Sequence, residues 1–97
     1  MSVRKLRSRS AKVANVLKSI SHPQRLQILC HLTEGPLTVS ELQGYCGISQ
    51  SQISQFLSRL LNEKILKVKK EGRFSIYQIA DAKMVKLISS LDNIYAK

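Results

Sequence analysis

Residues 48–61 constrain the fold of this chain more than any other segment, because they predict an amphipathic helix with an unusual polar side. Apolar side chains recur there at helical spacing and predict a stripe packed against a core: Ile53, Phe56, Leu57 and Leu60. The other side has no acidic residue and presents short amide and hydroxyl groups with one arginine: Gln50, Ser51, Ser54, Gln55, Ser58 and Arg59. Amide and hydroxyl groups can pair with base edges in a DNA major groove. The segment therefore predicts a DNA-reading helix.

The charge of the chain indicates the same kind of partner. Its 97 residues include 16 Lys and Arg against six Asp and Glu, a formal net charge of +10. Such an excess favours a polyanionic partner, nucleic acid before an anionic membrane. A chain of this length predicts one domain with a small core, which a dimer interface would enlarge. With no apolar run suited to a leader or a membrane span, we expect a cytoplasmic protein without a membrane partner.

Three capping-box patterns divide the first two thirds of the chain into helices. They lie at Ser21–Gln24, Thr38–Glu41 and Ser49–Gln52, each with a capping residue followed by Glu or Gln three positions later. The middle helix is expected to run to about Gly44, and Gly47 predicts a tight turn before the reading helix. Two short helices joined in this way are typical of a helix-turn-helix.

After residues 62–64 the apolar period changes from 3.6 to 2 and predicts a β-hairpin wing, with Lys70–Arg73 as its turn. The hairpin gathers four cations that suit phosphate or minor-groove contact: Lys67, Lys69, Lys70 and Arg73. Helical spacing returns from about Ala80. This last helix is apolar around much of its circumference, more than a chain of this size can easily bury. Together with the first helix it is therefore the candidate dimer interface.

The chain is therefore expected to be mainly α with a small β-hairpin: a homodimeric winged helix-turn-helix with the order helix, helix, helix-turn-helix, wing, helix. Residues 10–97 form its single DNA-binding and dimerisation domain. Residues 1–9 form a basic N-terminal tail, or the lead-in to the first helix, which either follows the DNA backbone or keeps the chain soluble. The expected DNA contacts are Thr38, Ser49, Gln50, Ser51, Ser54, Gln55, Ser58, Arg59, Lys67, Lys69, Lys70 and Arg73.

Three local matches in this order resemble the ArsR/SmtB family of bacterial transcriptional repressors. They lie at Ser21–Leu29, at Ser40–Leu42 followed by Gly47–Ser51, and at Ile53–Leu57, where Phe56 replaces a frequent His. The resemblance implies a bacterial, nucleoid-associated repressor that binds double-stranded DNA. Two-fold symmetry would then predict an imperfect palindrome as its operator.

Within that family, Leu29–Cys30 resembles a branch that senses sulfide, persulfide or oxidants through one thiol in the second helix and another near the end of the last. Here Ala96 stands at the second position. Cys30 is therefore either a redox or sulfur-reactive thiol acting alone or a core thiol, and Cys46 is interpreted as a small buried hydrophobe. The metal-sensing branch is a poorer match, because Glu41–Leu42 is not followed by Cys-x-Cys. We expect no metal and no cofactor.

Other functions stay open at this stage. A regulator without small-molecule sensing could act through its own level or by competing with another DNA-bound protein. A non-specific nucleoid-type DNA binder would also use the net charge, and a winged helix can serve protein–protein contact, which the basic face argues against. The sequence has no catalytic constellation, so an enzyme is not expected.

Overall fold

The fold is described by a computed structural model that covers residues 2–96. Within that range it contains five helices and three strands: α1 (Val3–Ile20), α2 (Pro23–Leu32), β1 (Leu37–Thr38), α3 (Val39–Cys46), α4 (Gln50–Asn62), β2 (Leu66–Glu71), β3 (Phe74–Ile79) and α5 (Ala82–Tyr95). The strands form one antiparallel sheet in the order β1-β3-β2. The predicted succession of helices, helix-turn-helix, wing and final helix is confirmed. The two-residue strand β1, which pairs Leu37 with Tyr77, is an addition.

The core lies where α2, α3, α4 and α5 meet. Its most completely buried side chains are Ile28, Leu29, Leu42, Ile53, Leu57, Leu60 and Ile88. Burying one such side chain contributes about 1.5–3 kcal/mol. The predicted stripe of the reading helix is thus confirmed, with Phe56 half-buried at its edge.

The start of α2 differs from the predicted Ser21–Gln24 capping box. The N-cap is His22, whose Nδ1 accepts a hydrogen bond from the Gln24 N–H at 3.1 Å. Pro23 occupies the first turn, and a proline keeps the preceding residue extended, as an N-cap requires. Ser21 instead closes α1, where its Oγ donates to the Lys18 carbonyl.

The two other capping boxes are confirmed, at Thr38–Glu41 and Ser49–Gln52. Helix α3 runs past Gly44 to Cys46, because a glycine inside a helix weakens it without ending it. The helix ends at Gly47, whose φ of +65° is left-handed and whose N–H donates to the Gln43 carbonyl at 2.9 Å. Gly47 therefore sets the tight turn that leads into α4.

Helix α4 passes into the wing through a Schellman motif centred on Lys64, a non-glycine residue with φ 62°. The Ile65 N–H donates to the Leu60 carbonyl at 2.9 Å, and the Lys64 N–H donates to the Leu61 carbonyl at 3.0 Å. Strand β2 begins at the next residue, Leu66. Helix α4 and the wing are consequently joined without a flexible linker.

The hairpin turn is tighter than predicted. Glu71 pairs with Phe74 and Lys70 with Ser75, so both Lys70 and Glu71 belong to β2. The turn itself is Gly72–Arg73, and Gly72 supplies the positive φ (59°) that a two-residue hairpin favours.

The first and last elements of the described residues are helices. Helix α1 begins at Val3, with Ser2 as its N-cap, so described residues of the predicted 1–9 tail are the lead-in to a helix rather than a separate segment. Residues 4–12 consist mainly of the strong helix formers Arg, Lys, Leu and Ala, which favour a helix that extends this far. Helix α5 begins at Ala82, because the Asp81 side chain caps it. No helix within residues 2–96 is both long enough and apolar enough to cross a membrane.

Candidate nucleic-acid interface

Helix α4 presents the predicted reading residues to solvent. Its buried positions, Ile53, Leu57 and Leu60, fix one face against the core. All six side chains of the predicted reading surface are exposed: Gln50, Ser51, Ser54, Gln55, Ser58 and Arg59. The helix carries no acidic residue from Gln50 to Asn62. It therefore offers donors and acceptors of base-edge type without a carboxylate that would repel DNA phosphate.

The hydroxyl groups of Thr38 and Ser49 are engaged in helix caps. Thr38 Oγ1 accepts from the Glu41 N–H at 3.2 Å and donates to Glu41 Oε1 at 3.0 Å. Ser49 Oγ makes the equivalent contacts to Gln52, both at 3.2 Å. These two residues lie at the N-termini of α3 and α4, where helix dipoles favour an anion such as phosphate. Their position suits backbone contact better than base reading.

Ser51 is tied to the same cap, since its Oγ lies 3.2 Å from Ser49 Oγ. Gln50 and Gln55 have no side-chain hydrogen bond within residues 2–96, and both are exposed. The full donor and acceptor capacity of these two amides is thus available to a ligand.

The predicted wing cations are all exposed: Lys67, Lys69, Lys70 and Arg73. Lys67 and Lys69 alternate with Val68 along β2, and Arg73 lies in the turn. Lys69 Nζ is 3.3 Å from Glu71 Oε1, with both side chains more than half exposed. A pair this solvated contributes about 0–1 kcal/mol, so it leaves Lys69 able to exchange Glu71 for phosphate.

Four of the six acidic residues lie beside a helix N-terminus or a cation. Glu41 and Asp81 cap helices, Glu63 pairs with Arg25, and Glu71 lies beside Lys69. The positive charge of the wing is therefore offset locally by one weak pair.

Cys30, the redox candidate, is a free, partly buried thiol on α2. Burial raises the pKa of the Cys30 thiol above its ordinary value, and the Asp92 carboxylate on α5 raises that pKa further. Burial also raises the pKa of Cys46, the other free thiol. The thiolate is the reactive form, so both environments lower reactivity at neutral pH. In residues 2–96 no three His, Cys, Asp or Glu side chains are grouped as a metal site would need.

Sequence reasoning missed the contacts that tie α2 to α4. The His22 ring lies 5.0 Å from the Phe56 ring, centroid to centroid. Arg25 Nη1 lies 3.1 Å from Glu63 Oε2. One sequence feature could have indicated these contacts: the cation Arg25 stands next to the apolar run of α2, a helix that packs in the core.

Known proteins share both this fold and this sequence pattern. A family model described as "Bacterial regulatory protein, arsR family" matches residues 22–68. The biofilm growth-associated repressor of Xylella fastidiosa is 36% identical over 90 residues, which cover 93% of this chain and 79% of the relative. The transcriptional activator HlyU of Vibrio cholerae is 31% identical over 97 residues, covering 100% and 90%.

Solved structures agree with the sequence matches. The transcriptional repressor BigR from Xylella fastidiosa has a TM-score of 0.91 at 35% identity, covering 98% of this chain and 97% of that chain. The homodimeric winged helix-turn-helix domain of Mb0332 from Mycobacterium bovis has a TM-score of 0.79 at 26% identity, covering 97% and 86%. The fold and the surface of α4 define a winged helix-turn-helix transcriptional regulator that binds DNA. The chain belongs to the ArsR family of bacterial regulatory proteins.

Proposed function

We propose that the protein is a sequence-specific repressor that acts as a homodimer and reads its operator with the open face of α4. The observation that carries this proposal is the division of α4 into a buried stripe and an exposed, acid-free face of amides and hydroxyls. Gln50 and Gln55 contact base edges, at about 1–3 kcal/mol of discrimination for each bidentate contact. The wing cations Lys67, Lys70 and Arg73 bind flanking phosphate or the minor groove.

A dimer is supported by apolar side chains that the monomer leaves in solvent. On α1, Val13 and Leu17 are 52% and 49% exposed, and on α5, Ile94 and Tyr95 are 68% and 78% exposed. A cleft between the two helices is lined by apolar Val16, Met84 and Leu87 among other residues. A second copy covering α1 and α5 would bury this surface. Two-fold symmetry then places half-sites about 34 Å apart, or a multiple of that spacing.

Repression would follow from occupancy, since a dimer bound over a promoter excludes other proteins. For the signal, we infer that a two-thiol switch between α2 and the end of α5 does not operate, because Ala96 stands where the family resemblance places the second thiol. A single-thiol response at Cys30 requires the thiolate, and the raised pKa of that thiol lowers the thiolate fraction at neutral pH. We therefore favour a regulator controlled by its own level or by competition with another DNA-bound protein, because the raised pKa of Cys30 opposes thiol chemistry.

Footprinting on the DNA upstream of its own gene tests the proposal, with random duplex as competitor at physiological salt. The expected result is a two-fold symmetric footprint that random duplex does not displace at equal concentration. Gln55→Ala should weaken the footprint, whereas Gln27→Ala, which removes an exposed amide from α2, should leave it unchanged. Equal displacement by random duplex would instead identify a non-specific DNA binder.

Thiol dependence is tested on the same fragment with peroxide and with a persulfide donor. Release of DNA by the unmodified protein but not by Cys30→Ser would establish a single-thiol sensor. Release by neither protein supports control without thiol chemistry.

A further inference from the structure

Two residues near the α1–α2 corner meet a distant glutamate at the C-terminal end of α4. Arg25 Nη1 donates to the Ser19 carbonyl at 2.8 Å and lies 3.1 Å from Glu63 Oε2. Ser19 Oγ donates to Glu63 Oε1 at 2.6 Å and so closes the group. We refer to Ser19, Arg25 and Glu63 as the corner cluster.

The corner cluster is more sheltered than an ordinary surface ion pair. The Arg25 side chain is 12% exposed and that of Glu63 38%. In the wing pair, Lys69 and Glu71 are 70% and 56% exposed. A charge pair held partly out of water, with a second hydrogen bond on each partner, keeps a defined geometry that solvated pairs do not keep.

The location of the cluster gives it influence over α4. Ser19 lies in the last turn of α1, Arg25 in the first turn of α2, and Glu63 is the C-cap of α4. Beyond Glu63 the chain enters the Schellman motif and the wing. The cluster therefore ties the α1–α2 corner to the point where reading helix and wing join. The contact of His22 with Phe56 links the same corner to α4 at its middle.

We propose that Arg25 and Glu63 are positioning residues for sequence-specific DNA binding. They hold the C-terminal end of α4 at the α1–α2 corner and so set the angle at which its open face enters the groove. This inference rests on the proposed function, in which that face reads bases. Base-edge hydrogen bonds require exact alignment, whereas phosphate contacts from long lysine side chains tolerate a small rotation. Loss of the cluster therefore lowers specificity more than it lowers general affinity for DNA.

The experiment compares two duplexes of equal length: one selected by the wild-type protein from a random pool, and one of random sequence. Affinities for both are measured for wild type, Glu63→Gln, Arg25→Gln and the double variant. The ratio of selected to random affinity is expected to fall about tenfold in Glu63→Gln, within the range of couplings between contacting residues. The double variant should lose no more than the larger single loss, because either change breaks the same pair.

Two controls separate positioning from other effects. Glu34→Gln removes the same charge from an exposed site on another surface, and should leave the ratio unchanged. Ile28→Val lowers stability from within α2, at a fully buried side chain outside the cluster, and should also preserve the ratio at temperatures well below unfolding. If Arg25→Gln does not fold, Glu63→Gln still decides the question, because Glu63 is the more exposed partner.

A wild-type ratio in Glu63→Gln overturns the positioning role and leaves the proposed function standing. An equal loss of ratio in Ile28→Val overturns it as well, since stability alone would then explain the effect. If the wild-type protein selects no sequence and binds both duplexes equally, the proposed function and this inference fail together.

Discussion

The ring of His22 lies 5.0 Å from the ring of Phe56, while Nδ1 of the same His22 accepts the Gln24 N–H at the start of α2. One side chain thus caps one helix and packs on another. Removing it by His22→Ala should lower the free energy of unfolding by about 1–2 kcal/mol, combining a lost cap with a lost ring contact.

His22→Asn separates the two contributions, because Asn caps a helix but has no ring. The stability of His22→Asn, measured by thermal or urea unfolding, should lie between that of the wild type and that of His22→Ala. Equal stability of His22→Asn and His22→Ala would show that the cap contributes nothing.

Gly44 inside α3 and Gly47 at its C-cap provide a matched pair of substitutions. Gly47 is left-handed, so Gly47→Ala should cost about 1–2 kcal/mol of folding stability, although no atom lies within 4 Å of the added Cβ. Gly44 lies inside α3 with equal space around it, so Gly44→Ala should stabilise by about 0.5–1 kcal/mol. Opposite signs in urea unfolding are expected, and a loss at both positions would contradict the backbone explanation.

Wing cations should set the salt dependence of DNA binding. If Lys70 and Arg73 each neutralise one phosphate, replacing either with Ala should reduce the slope of log K against log salt by about 0.9. Lys86→Ala, which removes an exposed cation from α5, should leave the slope unchanged. Titrations by fluorescence anisotropy between low and physiological salt measure the slopes. An equal change in all three variants would assign the effect to net charge instead of the wing.

Self-association should depend on the exposed apolar surface of α1. Leu17→Asp places a charge in the proposed interface and should shift the protein towards monomer in sedimentation equilibrium, because burying an unpaired carboxylate is unfavourable. Val68→Asp makes the same kind of change at an apolar wing residue that is 41% exposed, and should leave the mass unchanged. A monomeric wild type, or a Leu17→Asp protein that stays dimeric, would contradict the proposed interface.

The thiol of Cys30 should react slowly at neutral pH. Its pKa is raised by burial and by Asp92, so the alkylation rate in a Cys46→Ser background should approach its plateau only above the ordinary cysteine pKa of about 8.5. Asp92→Asn removes one of the two causes and should shift the profile to lower pH, whereas Asp81→Asn should not. A profile at or below the ordinary value would contradict the burial argument.

The raised pKa of Cys30 also makes the free energy of unfolding depend on pH. The folded state holds the Cys30 proton more tightly than the unfolded chain does. Its contribution is therefore fully present below the unfolded-state pKa and is lost as pH rises through the folded-state pKa. Unfolding in urea at neutral and alkaline pH should show this decline, and Cys30→Ser should reduce it.

Local sequence rules predicted the parts of the molecule that are determined by a few neighbouring residues. The capping boxes at Thr38 and Ser49, the buried stripe of α4 and the change of period at the wing all depend on spacings of two to four positions. The α2 cap was misplaced, because His22 is a less usual N-cap than Ser21 and the effect of Pro23 on its neighbour decides between them.

Contacts between distant residues could not be predicted in this way. Ser19 and Glu63 are separated by 44 positions, and strand β1 exists because Leu37 and Thr38 pair with Tyr77 and Ile76 of β3. Neither has a periodic pattern of its own. The effect of the Asp92 carboxylate on the pKa of Cys30 is equally non-local, because the two residues lie on α5 and α2. For this reason the sequence alone left the reactivity of that thiol open.

The left-handed joint at Lys64 has a mechanical consequence for regulation. Strand β2 starts soon after α4 ends, and the Ala80 N–H donates to the Ile65 carbonyl at 2.8 Å across the base of the hairpin. We therefore expect helix α4 and the wing to move as one unit. If α4 and the wing contact DNA as proposed, a rotation of the two together withdraws the major-groove and the flanking contacts in a single motion. Release from the operator would then be abrupt instead of stepwise, because neither set of contacts could be lost without the other.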